Sequence, residues 1–310
     1  MTDMNKAFLD FNEGIKLTKS SKSKILASRD AVREKVRRYF KEELKVNQPK
    51  FQIQGSFSIF TALNPTPDNE VDLDDGVYLQ HISGNEEEWP TPKEAHVLVL
   101  DALDGHTQDG CEDKSSCVRV IYRNDYHLDM PVYIMKDDKA FLAQTKLNEW
   151  QHSDAKDFKD WFYQYRTNEQ TSRIVRYLKG WRDYREYEFT SIELTILAIN
   201  HFSPYEDRDD LSLMNTLTNI YNSLNISRSI KKPVAPWENL WEELSESEID
   251  KRLNQLKKLH NDISTATNGI SKNSASIILR EQFGDRFPLL EDDKPKPIPN
   301  HITGSKPWRL

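Results

Sequence analysis

The chain has 310 residues, and 43 Lys and Arg against 50 Asp and Glu give it a formal net charge of −7. This acidic balance disfavours non-specific nucleic-acid binding, although it leaves room for a local basic patch, and a nucleic-acid activator is not expected. Two cysteines are too few for a disulfide framework or a four-cysteine zinc site, and no apolar stretch approaches the ~18–20 residues that span a bilayer. These features predict an intracellular globular protein without a membrane segment.

The first half of the chain mixes helical and strand patterns. Residues 4–45 carry apolar residues at three- to four-residue spacing, which predicts one long helix or two in sequence. Alternating β-branched and aromatic residues predict strands at FQIQ, VDLDDGVYL, CVRVIYR and YHLDMPVYI, whereas residues 90–103 favour a helix. FSIFTAL, which follows Gly55-Ser56, is a candidate helix, and we expect residues 101–113 to form mostly a solvated loop.

After about residue 150 the pattern becomes helical. Six segments carry apolar faces with a 3.6-residue period, and Trp161, Trp181, Trp237 and Trp241 are expected in the core. The sequence therefore predicts a mixed α/β part over residues 1–150, a helical part over 151–290 and a Pro-rich tail over 291–310. A cleft between the first two parts is the expected ligand site. The tail is a candidate handle for regulatory partners, with an ordinary frayed terminus as the alternative.

Three acidic residues give the strongest chemical signal. Asp72 and Asp74 alternate with Leu73, so in a strand both carboxylates lie on one face, and Asp129 sits in a second strand that could lie beside the first. Clustered carboxylates favour either a raised pKa or a divalent cation between them, and three of them can hold two ions for in-line phosphoryl transfer. The alternative for Asp72 and Asp74 is an exposed strand that ends in an Asp-Gly turn.

A phosphate site is indicated by Gly55-Ser56, which separates a short strand from the candidate helix. Backbone N–H groups at a helix start, together with a serine hydroxyl, can bind phosphate. The alternative is a serine that caps the helix without any ligand.

QGSF-x₃-T, VDLDDGVYL and the aspartate of LDMPVY, in this order, resemble the polymerase-β-like nucleotidyltransferase superfamily. More closely, the chain is similar to the bacterial CD-NTases, relatives of cyclic GMP-AMP synthase. The resemblance extends over nearly the whole chain and includes a leading spine helix, RIVRYLKGWRDY, PVAPWENL and FGDRF. It implies an α+β fold in which a nucleotidyltransferase core with a mixed sheet and long N-terminal helix packs against a C-terminal helical bundle.

The resemblance also implies roles for individual residues. Asp72, Asp74 and Asp129 would be the catalytic carboxylates and would bind two Mg²⁺ ions, with Mn²⁺ as a substitute. Gln54, Gly55 and Ser56 match the turn that holds the phosphates of the nucleotide.

The helix RIVRYLKGWRDY carries Arg173, Arg176 and Lys179 on one flank. Like charges at this spacing favour a facing anion such as a triphosphate, although a solvated flank paired with nearby acids is the alternative for the two arginines. By resemblance, Lys179 and Ser191 match positions that contact the triphosphate. An N-cap role explains Ser191 equally well.

The resemblance implies an enzyme that joins nucleoside triphosphates, with ATP and GTP expected, into a cyclic oligonucleotide for antiphage signalling in the bacterial cytoplasm. A cyclic dinucleotide such as cyclic GMP-AMP is the expected product, and a separately encoded effector is the expected partner. One alternative is a template-independent nucleotidyltransferase that acts on RNA, protein or small-molecule hydroxyls. A second alternative is an inactive module that only binds nucleotides or a partner.

Overall fold

The computed structural model describes residues 1–66, 70–82, 84–122, 126–153 and 155–292. Its helices are α1 (Asn5–Ile15), α2 (Lys19–Glu42), α3 (Gly55–Ser58), α4 (Pro92–Leu103), α5 (Ala155–Tyr165), α6 (Glu169–Arg185), α7 (Ser191–His201), α8 (Asp209–Ser227), α9 (Glu246–Thr267) and α10 (Lys272–Phe283). Its strands are β1 (Lys50–Ile53), β2 (Val71–Leu79), β3 (Cys111–Asp113), β4 (Val118–Tyr122), β5 (Tyr126–Met130), β6 (Val132–Lys136), β7 (Lys139–Gln144) and β8 (Glu149–His152). None of these helices is both long and apolar enough to cross a membrane.

The N-terminal segment forms two helices, because the chain is extended at Lys16 and Thr18 begins α2. The Thr18 hydroxyl accepts a hydrogen bond of 3.1 Å from the backbone N–H of Ser21, which satisfies one of the free donors at the start of α2. Each helix buries its apolar stripe in a different core, so the break at 16–18 separates two packing environments.

The sheet is built around β2, which pairs antiparallel with β1 and parallel with β5 and β6. The strands β5 and β6 keep the same register against β2 and continue one another past Pro131, whose carbonyl still accepts the N–H of Val77 at 2.7 Å. The strand predicted over 126–134 is therefore one extended segment with a break at the proline. The strands β4 and β3 extend the sheet beyond β5, and β7 and β8 extend it beyond β6.

Two hydrophobic cores stabilise the molecule. In the first, α2 and α4 pack on the sheet through residues such as Val36, Phe40 and Val99. The second contains helices from the C-terminal half together with α1, whose Phe8 and Phe11 are fully buried against Tyr177, Phe283 and Phe287. Although the sequence analysis placed all of residues 1–150 in one part, α1 shares its core with the helices that follow residue 155.

Several local expectations differ from the structure. Strands β3, β7 and β8 occupy segments to which the sequence pattern assigned no strand, because short or polar strands such as CED and EWQH are determined by their neighbours in the sheet. The prediction that FSIFTAL forms a helix is wrong beyond the first turn, because α3 ends at Ser58 and Phe60 adopts a φ of +56°. The tail lies outside the described residues from position 293 onward.

The tryptophans divide between the core and the surface. Trp181 and Trp241 are buried, and Trp161 packs against the helical core as a partly buried residue. The core prediction is wrong for Trp237, whose side chain is 64 % exposed and lies 6.0 Å from the ring of His152.

Asp209 is the centre of a buried polar network in the helical part. Its carboxylate, in a residue that is 1 % exposed, accepts hydrogen bonds from Arg173 at 2.5 and 2.8 Å, Tyr177 at 2.8 Å and Gln170 at 2.9 Å. Arg173 is therefore neither on a solvated flank nor free for a triphosphate. Arg176 is also engaged, since it donates to Asn12 Oδ1 at 2.7 Å and to the Phe60 carbonyl at 2.8 Å.

Substituting Asp209→Ala should lower the free energy of unfolding by about 3–5 kcal/mol, because it leaves the Arg173 charge and the Tyr177 hydroxyl without their buried acceptor. Urea denaturation measures the loss. The matched control is Asp250→Ala, which removes an exposed carboxylate 2.7 Å from Arg228 and should cost about 1 kcal/mol or less. Equal losses in the two variants would contradict this role for the network.

Candidate active site

The three acidic residues identified in the sequence lie side by side on two paired strands. In the parallel register of β2 and β5, Asp74 is opposite Asp129 and Asp72 is opposite His127. Because alternate residues of a strand share a face, Asp72 lies on the same face as Asp74, while Leu73 is fully buried. The structure thus brings the three carboxylates to one face of the sheet.

The alternative of a strand end at Asp-Gly is wrong, because β2 continues through Gly76 to Leu79. Asp75 is buried and forms an ion pair with Arg33 of α2 through two hydrogen bonds. Its partner therefore differs from Arg119, which contacts Asp72 and Asp129. Gly76 is required by close packing: a Cβ there would come within 2.2 Å of Gln54 Nε2. This glycine therefore makes room for a side chain and does not form a turn.

Burial and mutual repulsion change the acidity of the carboxylates. Burial, reinforced by the charges of Asp129 and Asp72, raises the pKa of Asp74 to about 7. Burial also raises the pKa of Asp72, although the Arg119 charge opposes this effect and half of the Asp72 side chain is exposed. A site that concentrates negative charge in this way favours a cation close to Asp74.

Arg119 of β4 supplies a positive charge at this site. It is paired with Asp129 in the antiparallel register, and its Nε and one terminal nitrogen donate to the two carboxylate oxygens at 2.7 Å each. The same terminal nitrogen lies 3.4 Å from Asp72 Oδ1. These contacts raise the pKa of Arg119, so the guanidinium stays charged. Arg119 was not among the residues predicted from the sequence. Its only signal there is that it is the single basic residue within the strand VRVIY.

The turn after β1 packs directly on Asp74. Gly55 has a φ of +56°, and a Cβ at this position would lie 2.1 Å from Asp74 Oδ2. The N–H of Gln54 donates to the Asp74 carbonyl at 2.8 Å, which fixes the turn to β2. Gln54, not Ser56, precedes α3, so the interpretation of Ser56 as a helix cap is wrong.

The side chain of Gln54 is held by the hydroxyl groups of two stacked tyrosines. It is 4 % exposed, receives a hydrogen bond from the Tyr133 hydroxyl at 3.0 Å and donates to the Tyr78 hydroxyl at 3.1 Å. The tyrosine rings lie 4.8 Å apart. Because its amide is engaged in these bonds, the Gln54 side chain holds the turn in position.

A cleft of about 1350 Å³ lies above the carboxylates, between the sheet and the helical part. It is bordered by the turn after β1, by β2 and β5, by the end of α6 and the start of α7, and by the segment after α10. The residues proposed from the sequence that line it are Gln54, Gly55, Ser56, Asp72, Asp74, Asp129 and Ser191.

Ser191 lines the helical side of the cleft, whereas Lys179 is buried in α6 and is not among the residues that line it. Lys179 is 4 % exposed, and its ammonium group donates to the Thr61 carbonyl at 3.1 Å. Burial, together with the nearby Arg182, lowers the pKa of Lys179 to about 7. The N-cap of α7 is Thr190, so the N-cap alternative for Ser191 is wrong, and the Ser191 hydroxyl instead accepts a hydrogen bond of 3.2 Å from Arg182.

The cleft is also lined by three basic residues that were not predicted from the sequence, namely Arg182, Lys232 and Arg286. Arg182 continues the three-residue spacing of Arg176 and Lys179 along α6, which was the signal that could have identified it. Arg286 belongs to FGDRF, and one of its terminal nitrogens is buried without a hydrogen-bond partner among the described residues. These cations suit a polyanionic ligand.

The oxygen-only donor set of Asp72, Asp74 and Asp129 fits a hard divalent cation such as Mg²⁺. In the part of the chain that the structure describes, however, no three acidic, imidazole or thiol groups are arranged around a common point as metal ligands. Both oxygens of Asp129 are bound by Arg119. The donor chemistry therefore fits a metal, provided that the guanidinium releases Asp129.

Comparison with known sequences identifies relatives of this chain. Residues 49–133 match the family described as cyclic GMP-AMP synthase DncV-like, nucleotidyltransferase domain. A cyclic GMP-AMP synthase from Escherichia coli is 29 % identical over a match that covers 49 % of this chain and 47 % of that protein, about half its length. A c-di-GMP synthase from Roseivirga ehrenbergii is 26 % identical over 75 % of this chain and 71 % of that protein.

Comparison with solved structures extends the likeness to the whole fold. The Vibrio cholerae DncV cyclic AMP-GMP synthase, in complex with the linear intermediate 5′ pppA(3′,5′)pG, superposes with a TM-score of 0.75 at 20 % sequence identity. The match covers 92 % of this chain and 96 % of that one. The two chains share a fold, which confirms the α+β class expected from the sequence.

Proposed function

We propose that this chain, whose residues 49–133 match a DncV-like nucleotidyltransferase domain, is a CD-NTase that joins nucleoside triphosphates into a cyclic oligonucleotide in a magnesium-dependent reaction. A ribose hydroxyl of one nucleotide attacks the α-phosphorus of another. A new P–O bond forms, the bond to the β-phosphate breaks, and pyrophosphate and the hydroxyl proton are released. A second attack within the linear intermediate closes the ring.

The row of three carboxylates beneath the cleft is the observation that carries this proposal. Asp74 and Asp129 are paired across β2 and β5, and Asp72 shares their face. When bound by these carboxylates, two Mg²⁺ ions would lower the pKa of the attacking hydroxyl and neutralise the leaving pyrophosphate. The fixed sheet register holds the carboxylates in place, so the protein supplies positioning and charge.

The walls of the cleft are suited to the triphosphate. The backbone of Gly55, which packs on Asp74, and the Ser56 hydroxyl line the cleft and are assigned to the phosphates of the bound nucleotide, with the buried Gln54 side chain holding their turn in place. On the opposite wall, Ser191 contributes its hydroxyl, which Arg182 orients. Lys179 is assigned to the triphosphate as well, which requires its ammonium group to exchange the Thr61 carbonyl for a phosphate oxygen.

The size of the cleft supports two nucleotides in the site. Its volume of about 1350 Å³ exceeds the ~300–1,000 Å³ typical of pockets for a single small ligand. We assign a cyclic dinucleotide as the product, with ATP and GTP as substrates and cyclic GMP-AMP as the first candidate. The assigned role is antiphage signalling in the bacterial cytoplasm, through a separately encoded effector that responds to the product.

The test is incubation of the purified chain with all four NTPs and Mg²⁺ or Mn²⁺, followed by phosphatase treatment and mass spectrometry of the small molecules. The expected result is a phosphatase-resistant cyclic product that the Asp72→Asn variant does not form, because one of the three carboxylates is lost. The matched control is Asp160→Asn, which neutralises an exposed carboxylate paired with Lys156 on α5 and should leave the product unchanged.

Two outcomes would reject the proposal. Nucleotide that stays attached to RNA or protein, with no cyclic small molecule, would indicate a nucleotidyltransferase with a different acceptor. Full cyclic-product formation by Asp72→Asn and Asp74→Asn would show that the reaction does not use the assigned carboxylates.

A further inference from the structure

Both carboxylate oxygens of Asp129 accept a hydrogen bond from Arg119, so another cation has to compete with a positive charge already in place. The guanidinium donates in parallel to both carboxylate oxygens at 2.7 Å, a geometry typical of strong bidentate pairs. Its terminal nitrogen also reaches to within 3.4 Å of Asp72 Oδ1. Arg119 thus stands between the outer carboxylates of the row, where a bound ion would have to coordinate.

We propose that Arg119 is a displaceable counter-ion, which occupies the acidic site in the nucleotide-free protein and must leave Asp129 before a divalent cation can bind there. The inference rests on the proposed function, since it concerns how the same carboxylates are loaded. It assigns to a residue of β4 a part in controlling when the carboxylates can bind a divalent cation.

Three features of the site support exchange over a permanent structural pair. The Arg119 side chain is 25 % exposed and its partners Asp72 and Asp129 line the cleft, so the guanidinium is not enclosed by packing. The negative charge of Asp72, Asp74 and Asp129 exceeds the single positive charge of Arg119, so a dication compensates it better. A released guanidinium also needs a new acceptor, and its planar donor fork matches a phosphate group as well as a carboxylate.

This exchange couples metal binding to nucleotide binding. In the nucleotide-free protein a cation must compete with Arg119 for the oxygens of Asp129. When a triphosphate enters the cleft, the guanidinium can move to a phosphate oxygen and leave the carboxylate to the cation. By linkage, nucleotide and cation therefore strengthen each other's binding. The free protein is protected from ions that would otherwise occupy the site without substrate.

The experiment measures Mn²⁺ binding to the full nucleotide-free chain by electron paramagnetic resonance at pH 8. Arg119→Gln is expected to bind Mn²⁺ at least about 10-fold more tightly than wild type, because both the competing donor and its charge are gone. Arg119→Lys keeps the charge without the bidentate fork and should fall between the two. Arg228→Gln removes the same charge at the end of α8 and should match wild type.

A second titration uses a saturating nonhydrolysable GTP analogue. The difference in Mn²⁺ affinity between wild type and Arg119→Gln should then shrink, because the triphosphate withdraws the guanidinium in wild type. Chelation of Mn²⁺ by the free analogue is equal in both titrations. Thermal unfolding checks that each variant is folded, and if Arg119→Gln is not, the Arg119→Lys comparison decides the result.

Equal or weaker Mn²⁺ binding by the folded Arg119 variants in the absence of nucleotide would overturn the inference, because Arg119 would then only hold Asp129 in position. The proposed function would survive that result. Failure of Mn²⁺ to bind even the wild-type complex with the analogue would instead reject the metal-dependent function, and the inference with it.

Discussion

The Asp74→Asn substitution is expected to lower pyrophosphate release from NTPs by about 10³-fold or more, while the protein remains folded. Asp74 is the central carboxylate of the row, paired with Asp129 and two residues from Asp72. Asparagine keeps the shape of the side chain but removes the charge that the proposed function assigns to holding a cation beneath the reacting phosphate. Pyrophosphate release at saturating NTP and Mg²⁺ measures the effect, and Asp160→Asn should retain wild-type activity.

The same substitution should make the metal-free protein more stable. The pKa of Asp74 is raised to about 7 from an ordinary value of 3.8, so the unfolded chain loses its proton more readily than the folded one. This difference lowers wild-type stability progressively as pH rises from about 4 to about 7, and the loss is constant above that. An asparagine side chain at this position does not ionise and carries no such penalty.

With EDTA present at pH 8, Asp74→Asn should therefore unfold with a free energy about 2–4 kcal/mol above wild type. The gain should diminish toward pH 5, as measured by urea titrations across this range. A variant that is less active and also less stable at pH 8 would indicate that asparagine disrupts the sheet. The stability cost assigned to the raised pKa of Asp74 would then be wrong.

Gly55→Ala is expected to reduce activity by about 100-fold or more for a reason that is purely steric. A Cβ at Gly55 would lie 2.1 Å from Asp74 Oδ2, so either the carboxylate or the turn has to move. A displacement of about 1 Å in a catalytic group is enough for a loss of this size. Steady-state kinetics of pyrophosphate release measures it.

The control for this prediction is Gly105→Ala. Gly105 has a φ of +63°, close to the +56° of Gly55, but a Cβ there would have no neighbour within 4 Å. Both alanines carry a backbone cost of about 1–2 kcal/mol for the left-handed conformation, and only one displaces Asp74. Similar activity losses in the two variants would mean that backbone strain, and not the contact with Asp74, explains the effect.

The sequence predicted the parts of this molecule whose signal is local. Alternation in VDLDDGVYL placed Asp72 and Asp74 on one face, and the apolar periodicity of the second half located its helices. The strand pattern around Asp129 indicated that this residue could lie beside the first strand, and the parallel register that places it opposite Asp74 is seen only in the sheet. The turn at Gly55 was identified because a Gly-Ser pair between a strand and an apolar segment is itself distinctive.

What the sequence did not predict depends on contacts between distant segments. Arg119 acquires its role only because β4 pairs antiparallel with β5 and places it opposite Asp129. The alternative in which Gly76 forms a turn is wrong, and the glycine is needed because the side chain of Gln54, which follows β1, packs against it. Trp237 was assigned to the core by residue type, yet it has a positive φ and its side chain is exposed.

The position of α1 has a consequence for how the chain is made. This helix leaves the ribosome early, but the aromatic residues that cover Phe8 and Phe11 include Phe283 and Phe287, which are synthesised long afterwards. The apolar face of α1 therefore stays without these native partners until α10 and the segment after it have emerged. The sheet that carries the carboxylates can assemble earlier, but the helical wall of the cleft is completed only when α1 and α10 meet. A product that stalls before α10 consequently carries the acidic row without a finished nucleotide pocket.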